Sequence, residues 1–325
     1  TAWTSKGDIA NFPAKFVEGM VRNGYDRAFA DWCFQRFKGF SQYGFPESHA
    51  ASFALLVYAS AWIKCYHPAA FAVALLNSQP MGFYAPAQIV RDACEHGVVV
   101  HPIDVNHSDW DCTIEENGNA TRLGMRMVNG LRESEARTIV KAVRSHGRFS
   151  SPFELWRISG VSKSALVKLA RADAFRSMGL DRRRALWEIQ QLQGHGLPLL
   201  DLLPQESNKT TIPKTPPALD VGQDYAAVGL SLKAHPVSFI REQLSTMGAI
   251  TAADVKDLQL TPTGKYVTVA GIVLFRQRPG TAKGVMFMTI EDETGRVDLI
   301  VRPNIYERYR DAAVYAKLVL IRGKV

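Results

Sequence analysis

The chain is 325 residues long, 46% apolar and 22% charged, which excludes a disordered or fibrous protein and leaves length for two or three domains with sizeable cores. Its net charge of +8 and pI near 9.3 favour a polyanionic partner. Four cysteines, Cys33, Cys65, Cys94 and Cys112, form no CxxC pair and no short-domain framework, which argues against a disulfide scaffold and for reduced thiols in the cytoplasm.

No signal peptide opens the chain. The longest apolar run, Ala50 to Ile63, is too short to span a bilayer and predicts a buried helix, so no membrane partner is expected. The absence of an initial Met and the end within a strand pattern point to a piece of a longer protein. Residues 8 to 96 read as helical, with helices expected over Ala14 to Met20, Tyr25 to Phe37, Ser48 to Tyr66 and Pro68 to Asn77, interrupted at Gly24, Gly39, Gly44 and Pro80. Pro46 suits a first helical turn and Ser48 is a good cap. Val98-Val99-Val100 predicts a strand, and Asn117-Gly118-Asn119 a turn between two extended stretches.

A second unit, from about Leu123 to Gln193, carries a weak internal duplication. Asn129-Gly130-Leu131 precedes a helical stretch from Glu133 to His146, and Gly160-Val161-Ser162 precedes one from Lys163 to Arg171. Residues 194 to 222 are rich in Pro, Gly, Ser and Thr and read as a linker. Beyond them lie extended runs at Lys265 to Phe275, Val285 to Glu291, Arg296 to Val301 and Lys317 to Arg322. A helical piece, Asn304 to Ala313, comes before the last. That order is an OB-fold barrel without its last strand.

Between Thr121 and Gln190 stand fifteen basic and six acidic residues, so this stretch alone outweighs the excess of the whole chain. Scattered charge is usually a solvated surface. Here it coincides with the paired hairpins, whose glycine turns present free N–H groups at helix starts. Asn129, Gly130, Arg132, Gly160, Ser162 and Lys163 are therefore candidate contacts to a nucleic-acid backbone. The basic loop Arg276 to Gly284 offers a second surface, with Arg276, Arg278 and Lys283 as candidates at the edge where OB-folds meet single strands. Tyr266, Phe275 and Phe287 either stack bases or, as is commoner for strand aromatics, fill the barrel.

No Walker loop, GxSxG or HExxH is present. Asp109 and Asp111 form a DxD-like pair, better read as turn or capping residues than as metal ligands. Cys94, His96, His101, His107 and Cys112 match no standard zinc spacing.

These motifs add up to a resemblance. Gly39 to Tyr84, "GFSQYGFPESHAASFALLVYASAWIKCYHPAAFAVALLNSQPMGFY", resembles the fingers of bacterial family C DNA polymerases, the DNA polymerase III alpha-subunit family. FPESHAASFALL and LLNSQPMGFYAPAQIVRDA resemble its error-prone branch. "VNHSDWDCTIE", "RLGMRMVNGL", "GLSLKAHP" and "FRQRPGTAKGVMFMTIEDETGRVDLIV" continue the likeness in collinear order.

The resemblance implies a multidomain α plus β architecture. Residues 1–113 would end the fingers, 114–193 would form a tandem helix-hairpin-helix, 194–247 would link, and 248–325 would form a truncated OB-fold. The full-length enzyme would transfer nucleotides from dNTP to a primer end in SOS-linked, damage-tolerant translesion synthesis. Its Mg2+ would be held by palm aspartates upstream of this segment, so the fragment alone is predicted to hold no cofactor and to be inactive. Ser48 and His49 would contact the dNTP phosphates, with Glu47 replacing the Lys common in replicative relatives. Arg132 stands where those relatives place a second hairpin glycine. Gln190 to Leu203 contains no match to their clamp-binding peptide, which implies a clamp-binding accessory protein rather than direct clamp binding. The alternatives are a stand-alone nucleic-acid-binding repair scaffold and a metal-dependent hydrolase built on Asp109, Asp111 and the His/Cys group.

Overall fold

The computed structural model describes residues 12–43, 47–82, 84–192 and 212–325, with the side chains of residues 12, 13 and 37–49 also outside the description. The chain divides into two compact units, 1–67 and 68–325. Among the described residues, no helix is long and apolar enough to cross a membrane.

In the first unit, α1 (Phe12–Arg22) and α2 (Arg27–Tyr43) form a helical hairpin. Gly24 turns it at φ +87°, and Asp26 caps α2 by accepting from the Ala28 N–H at 3.0 Å. Val17, Ala30 and the Phe16–Phe34 ring pair at 5.8 Å fill the seam. Gly39 does not interrupt α2. A third helix, α3 (Glu47–Tyr66), follows. The expectation that it is buried is corrected: Leu55 and Tyr58 are each 72% exposed, and Leu56 and Val57 are exposed as well. Its apolar residues point to every side, so burial would need partners all round, and α1 and α2 themselves leave Phe29 and Trp32 exposed.

The second unit begins with α4 (Pro68–Asn77) and α5 (Pro86–Glu95). A small sheet follows, of β1 (Val99–His101), β2 (Thr113–Glu115) and β3 (Ala120–Arg122) in the order β1-β3-β2, with β1 parallel to β3. Residues 116–118 form the expected turn, all at positive φ. Next come α6 (Glu133–His146), α7 (Pro152–Ser159), α8 (Lys163–Arg171) and α9 (Arg182–Gln190). One core, from Ala69 through Leu123, Ile139, Leu155 and Phe175 to Leu230, joins all of these. The anticipated domain boundary at 113/114 falls inside β2, and this core runs across it.

The segment expected to link and connect is, from residue 217 on, folded and docked. Its α10 (Pro217–Val228) and α11 (Arg241–Thr246) bury Val221, Val237 and Leu244. Arg182 is buried against Asp220 and Asp224 of α10, and Lys233 Nζ lies 2.7 Å from Asp220 and 3.1 Å from Asp224.

The last part is a five-stranded sheet of β4 (Ala249–Ile250), β5 (Tyr266–Gln277), β6 (Met286–Glu291), β7 (Arg296–Val301) and β8 (Leu318–Lys324). Its order is β4-β5-β6-β7, with β8 antiparallel to β5 on the other side, so it is not closed into a barrel. A short α12 (Ala252–Lys256) precedes β5. The predicted helix between β7 and β8 is two, α13 (Pro303–Arg308) and α14 (Arg310–Tyr315), broken at Tyr309. Val269, Met286, Met288, Ile290, Tyr306 and Ala313 form the core between sheet and helices. Asp292 fixes the β6–β7 turn: its carboxylate accepts from Thr294 N (2.8 Å), Gly295 N (3.0 Å), Ala252 N (2.8 Å) and Arg241 Nη2 (2.9 Å).

Candidate nucleic-acid interface

Two local shapes of the same kind lie side by side. A short 3-10 turn, Met125–Met127, leads through Gly130-Leu131-Arg132 into α6, and α7 leads through Gly160-Val161-Ser162 into α8. Gly130 has φ +74° and Gly160 +65°, a region that glycine enters without a steric cost. Leu131 and Val161 are buried as plugs under each turn. The glycines, Arg132 and Ser162 stay exposed. Arg132 in place of a second glycine therefore leaves the first hairpin intact.

Glu135, in the first turn of α6, joins the two hairpins. Ser162 Oγ donates to Glu135 Oε1 at 2.6 Å, and the Arg132 N–H donates to Oε2 at 3.4 Å. The Ser162 hydrogen bond, with the nearby Lys168 and Arg132 charges, holds the Glu135 carboxyl below the usual carboxylate range. Ser162 also caps α8 by accepting from Ala165 N at 3.1 Å. The Ser162–Glu135 bond joins the first turns of α6 and α8, each of which carries N–H groups that have no partner within the helix.

Other cations predicted for this face are used inside the protein. Lys163 Nζ donates to the carbonyls of Gln190 (2.7 Å) and Leu192 (3.0 Å), at the C-terminal end of α9. Asn129 Nδ2 donates to Ala226 O at 2.9 Å, tying the first hairpin to α10. Part of the basic excess is likewise internal. Arg126 pairs with Asp111 at 2.7 Å and Arg144 with Asp109, so the two aspartates of the DxD-like pair are ion-pair partners of separate arginines. Arg122 binds Glu115 through two hydrogen bonds, of 2.6 and 3.0 Å.

Among the described residues, the acidic group with metal-ligand spacing is Asp173, Asp220 and Asp224 rather than the Cys/His set. Lys233 Nζ sits among its oxygens at 3.0, 2.7 and 3.1 Å, and Arg182 contacts two of the three. An ammonium holds the position that a divalent ion would take, so this cluster does not fit a metal.

On the β sheet, strand alternation and one irregularity sort the side chains. Met286, Met288 and Ile290 of β6 face the core, which turns Phe287 outward. In β5, Val273 packs on the core and Phe275, two residues on, would follow it there. A bulge between Val273 and Phe275 shifts the phase: Val273 pairs with Ile290, but Phe275 pairs with Thr289 and Gln277 with Phe287. Phe275 (44% exposed) and Phe287 (40%) consequently share the outer face with Ile300 (70%), and Tyr266 is exposed too. These aromatics do not fill the barrel.

The loop beyond β5 behaves less simply than its charge suggests. The bulge sends Arg276 to the core side, where its guanidinium donates to the carbonyls of Ala313 (2.6 Å) and Ala316 at the end of α14. Arg278 lies over the Tyr306 ring at 4.2 Å and donates to Gly284 O at 3.3 Å. Lys283 is exposed, in the left-handed region at φ +48°. Ser48 and His49 open α3, but their side chains lie outside the described residues, as does most of the Gln190 to Leu203 stretch.

Two family models match the parts of the chain that carry the hairpin pair and Phe275 and Phe287. A helix-hairpin-helix motif family matches residues 97–185, and an OB-fold nucleic acid binding domain family matches residues 267–325. The chain is 51% identical to the error-prone DNA polymerase of Sinorhizobium medicae, over 98% of this chain and 31% of that protein. It is 47% identical to error-prone DNA polymerase 2 of Rhizobium meliloti, over 98% of this chain and 30% of that one. It is also 47% identical to the error-prone DNA polymerase of Rhodopseudomonas palustris, over 98% and 29%. The chain spans about three-tenths of the length of the curated relatives it matches. Over nearly all of its own length, then, the chain is a homologue of one segment of the error-prone DNA polymerases.

Proposed function

We propose that this segment is the DNA-holding C-terminal part of an error-prone DNA polymerase. The observation that carries the reading is the Glu135–Ser162 bond, which joins the two glycine hairpins and the helix starts behind them. Backbone N–H groups at that spacing suit the phosphates of a duplex without reading its bases, and Arg132 adds a cation at the tip. The outer face of the sheet, with Phe275 and Phe287, suits a single strand leaving the duplex, because every base has a face that can stack.

In the whole protein the chemistry is nucleotide transfer from dNTP to a primer end, in damage-tolerant translesion synthesis of the SOS kind. Magnesium ions held by carboxylates outside this chain would supply charge stabilisation there. This segment's own residues bind and align DNA, Ser48 and His49 at the start of α3 meet the triphosphate, and a clamp-binding accessory protein is a further partner in the cytoplasm.

The test is a titration of duplex DNA against the chain at several salt concentrations. The expected result is a linear fall of log K with log salt and little sequence preference. Binding that is insensitive to salt would refute the reading. A primer-extension assay with magnesium separates the polymerase segment from a complete enzyme: no extension is expected from this chain.

A further inference from the structure

The outer sheet face holds one residue that base stacking does not explain. Asp298 of β7 is exposed on this face. The register places Phe275, Thr289 and Asp298 in one row across β5, β6 and β7, and Gln277, Phe287 and Ile300 in the next. Thr289 is 5% exposed beneath this surface, and its Oγ1 donates to Asp298 Oδ1. That bond orients the carboxylate, on a residue that stands one strand from Phe287, on the diagonal, and two strands from Phe275. Among the described residues Asp298 forms no ion pair: Arg296 turns to Glu95 at 3.8 Å, and Arg91 and His235 meet Glu291 at 3.0 and 3.4 Å.

We propose that Asp298 reads the base that stacks on Phe287, favouring cytosine over thymine. The inference rests on the single-strand reading of this face given above. A carboxylate only accepts hydrogen bonds. Cytosine presents an exocyclic amino group, whereas thymine presents a carbonyl and a methyl at the same position. A cytosine stacked on Phe287 can donate to Asp298, and a thymine in the same place meets it oxygen to oxygen. The exposed cations Lys283 and Arg302, at the loop end of this face, stand clear to take the phosphates. The stacking surface is thus selective at one position.

The test measures binding of the chain to fluorescently labelled oligo-dC and oligo-dT of equal length by anisotropy, at two salt concentrations. A preference for oligo-dC of about three- to ten-fold is expected, the worth of one hydrogen bond to a fixed acceptor. The ratio should hold as salt rises, because the base contact releases no counterion while both affinities fall together. Asp298→Asn supplies a donor beside its acceptor and should bring the ratio close to one. Asp298→Ala should do the same. Equal binding of oligo-dC and oligo-dT by the parent, with Phe287→Ala weakening both, overturns the role of Asp298 and leaves the stacking face standing. Binding that Phe287→Ala leaves unchanged removes the stacking face itself, and the base preference with it.

Discussion

Lys163 and Arg132 both carry positive charge at helix starts in the hairpin pair, yet the structure gives them opposite duties. Lys163 donates to Gln190 O at 2.7 Å and to Leu192 O at 3.0 Å, carbonyls at the end of α9 that have no acceptor role within the helix. Replacing Lys163 by Met keeps the aliphatic stem and removes both charge-assisted bonds, together with a favourable charge at a helix C-terminus. Each bond to a charged group contributes about 1.5–3 kcal/mol when well shielded, and less here because the ammonium is half-exposed. The expected loss is about 1–3 kcal/mol, read as a shift of the urea midpoint at unchanged m-value. The salt slope of duplex binding should not move. Arg132→Gln should do the reverse: stability within about 0.5 kcal/mol of the parent, as for an exposed side chain, and a salt slope shallower by about 0.9, the share of one phosphate contact. A Lys163→Met protein as stable as the parent, with a shallower slope, would refute the reasoning, since it would mean that the ammonium faces DNA.

Three further outcomes follow from particular contacts. Asp292→Ala removes the acceptor of three backbone N–H groups, of Thr294, Gly295 and Ala252, and should cost about 3–5 kcal/mol in equilibrium unfolding, because some of those donors stay buried without a partner. Gly124→Ala would set its β-carbon 2.3 Å from the Asp111 carbonyl carbon and 2.4 Å from Trp110 O. Backbone on both sides must move, so a loss of at least about 3 kcal/mol is expected in thermal unfolding. Glu115 is held below its ordinary value of 4.5 mainly by the Arg122 hydrogen bonds. Its contribution is present above that value and is lost as pH falls through the lower folded-state value. A Glu115→Gln protein should accordingly be less stable than the parent at neutral pH, and the gap should close in acid, as read by unfolding at a series of pH values.

Much of the architecture was legible because it is local. The hairpin glycines, the helices behind them and the strand runs 286–291 and 296–301 depend on turn chemistry and periodicity within a few residues, and the structure has them where the sequence puts them. The same holds for the turn between β2 and β3. The exposure of α3 was not legible. A run that is apolar all round states a need for partners, and the described residues of the chain leave much of it exposed.

The sequence by itself determined which residues are charged and which segments turn, bend or extend. Tertiary structure alone decided what the charges are used for. Lys163 meets its acceptors 27 and 29 residues away, and Arg276 meets the end of α14 across 37 and 40 residues. No spacing rule of a helix or strand reaches that far. The outward turn of Phe275 has the same origin. Two-residue periodicity assigns it to the core with Val273, and only the pairing with β6, with its bulge, reverses the assignment. A strand's phase is a property of the sheet it joins, and with it goes the difference between a core aromatic and a surface on which a base can stack.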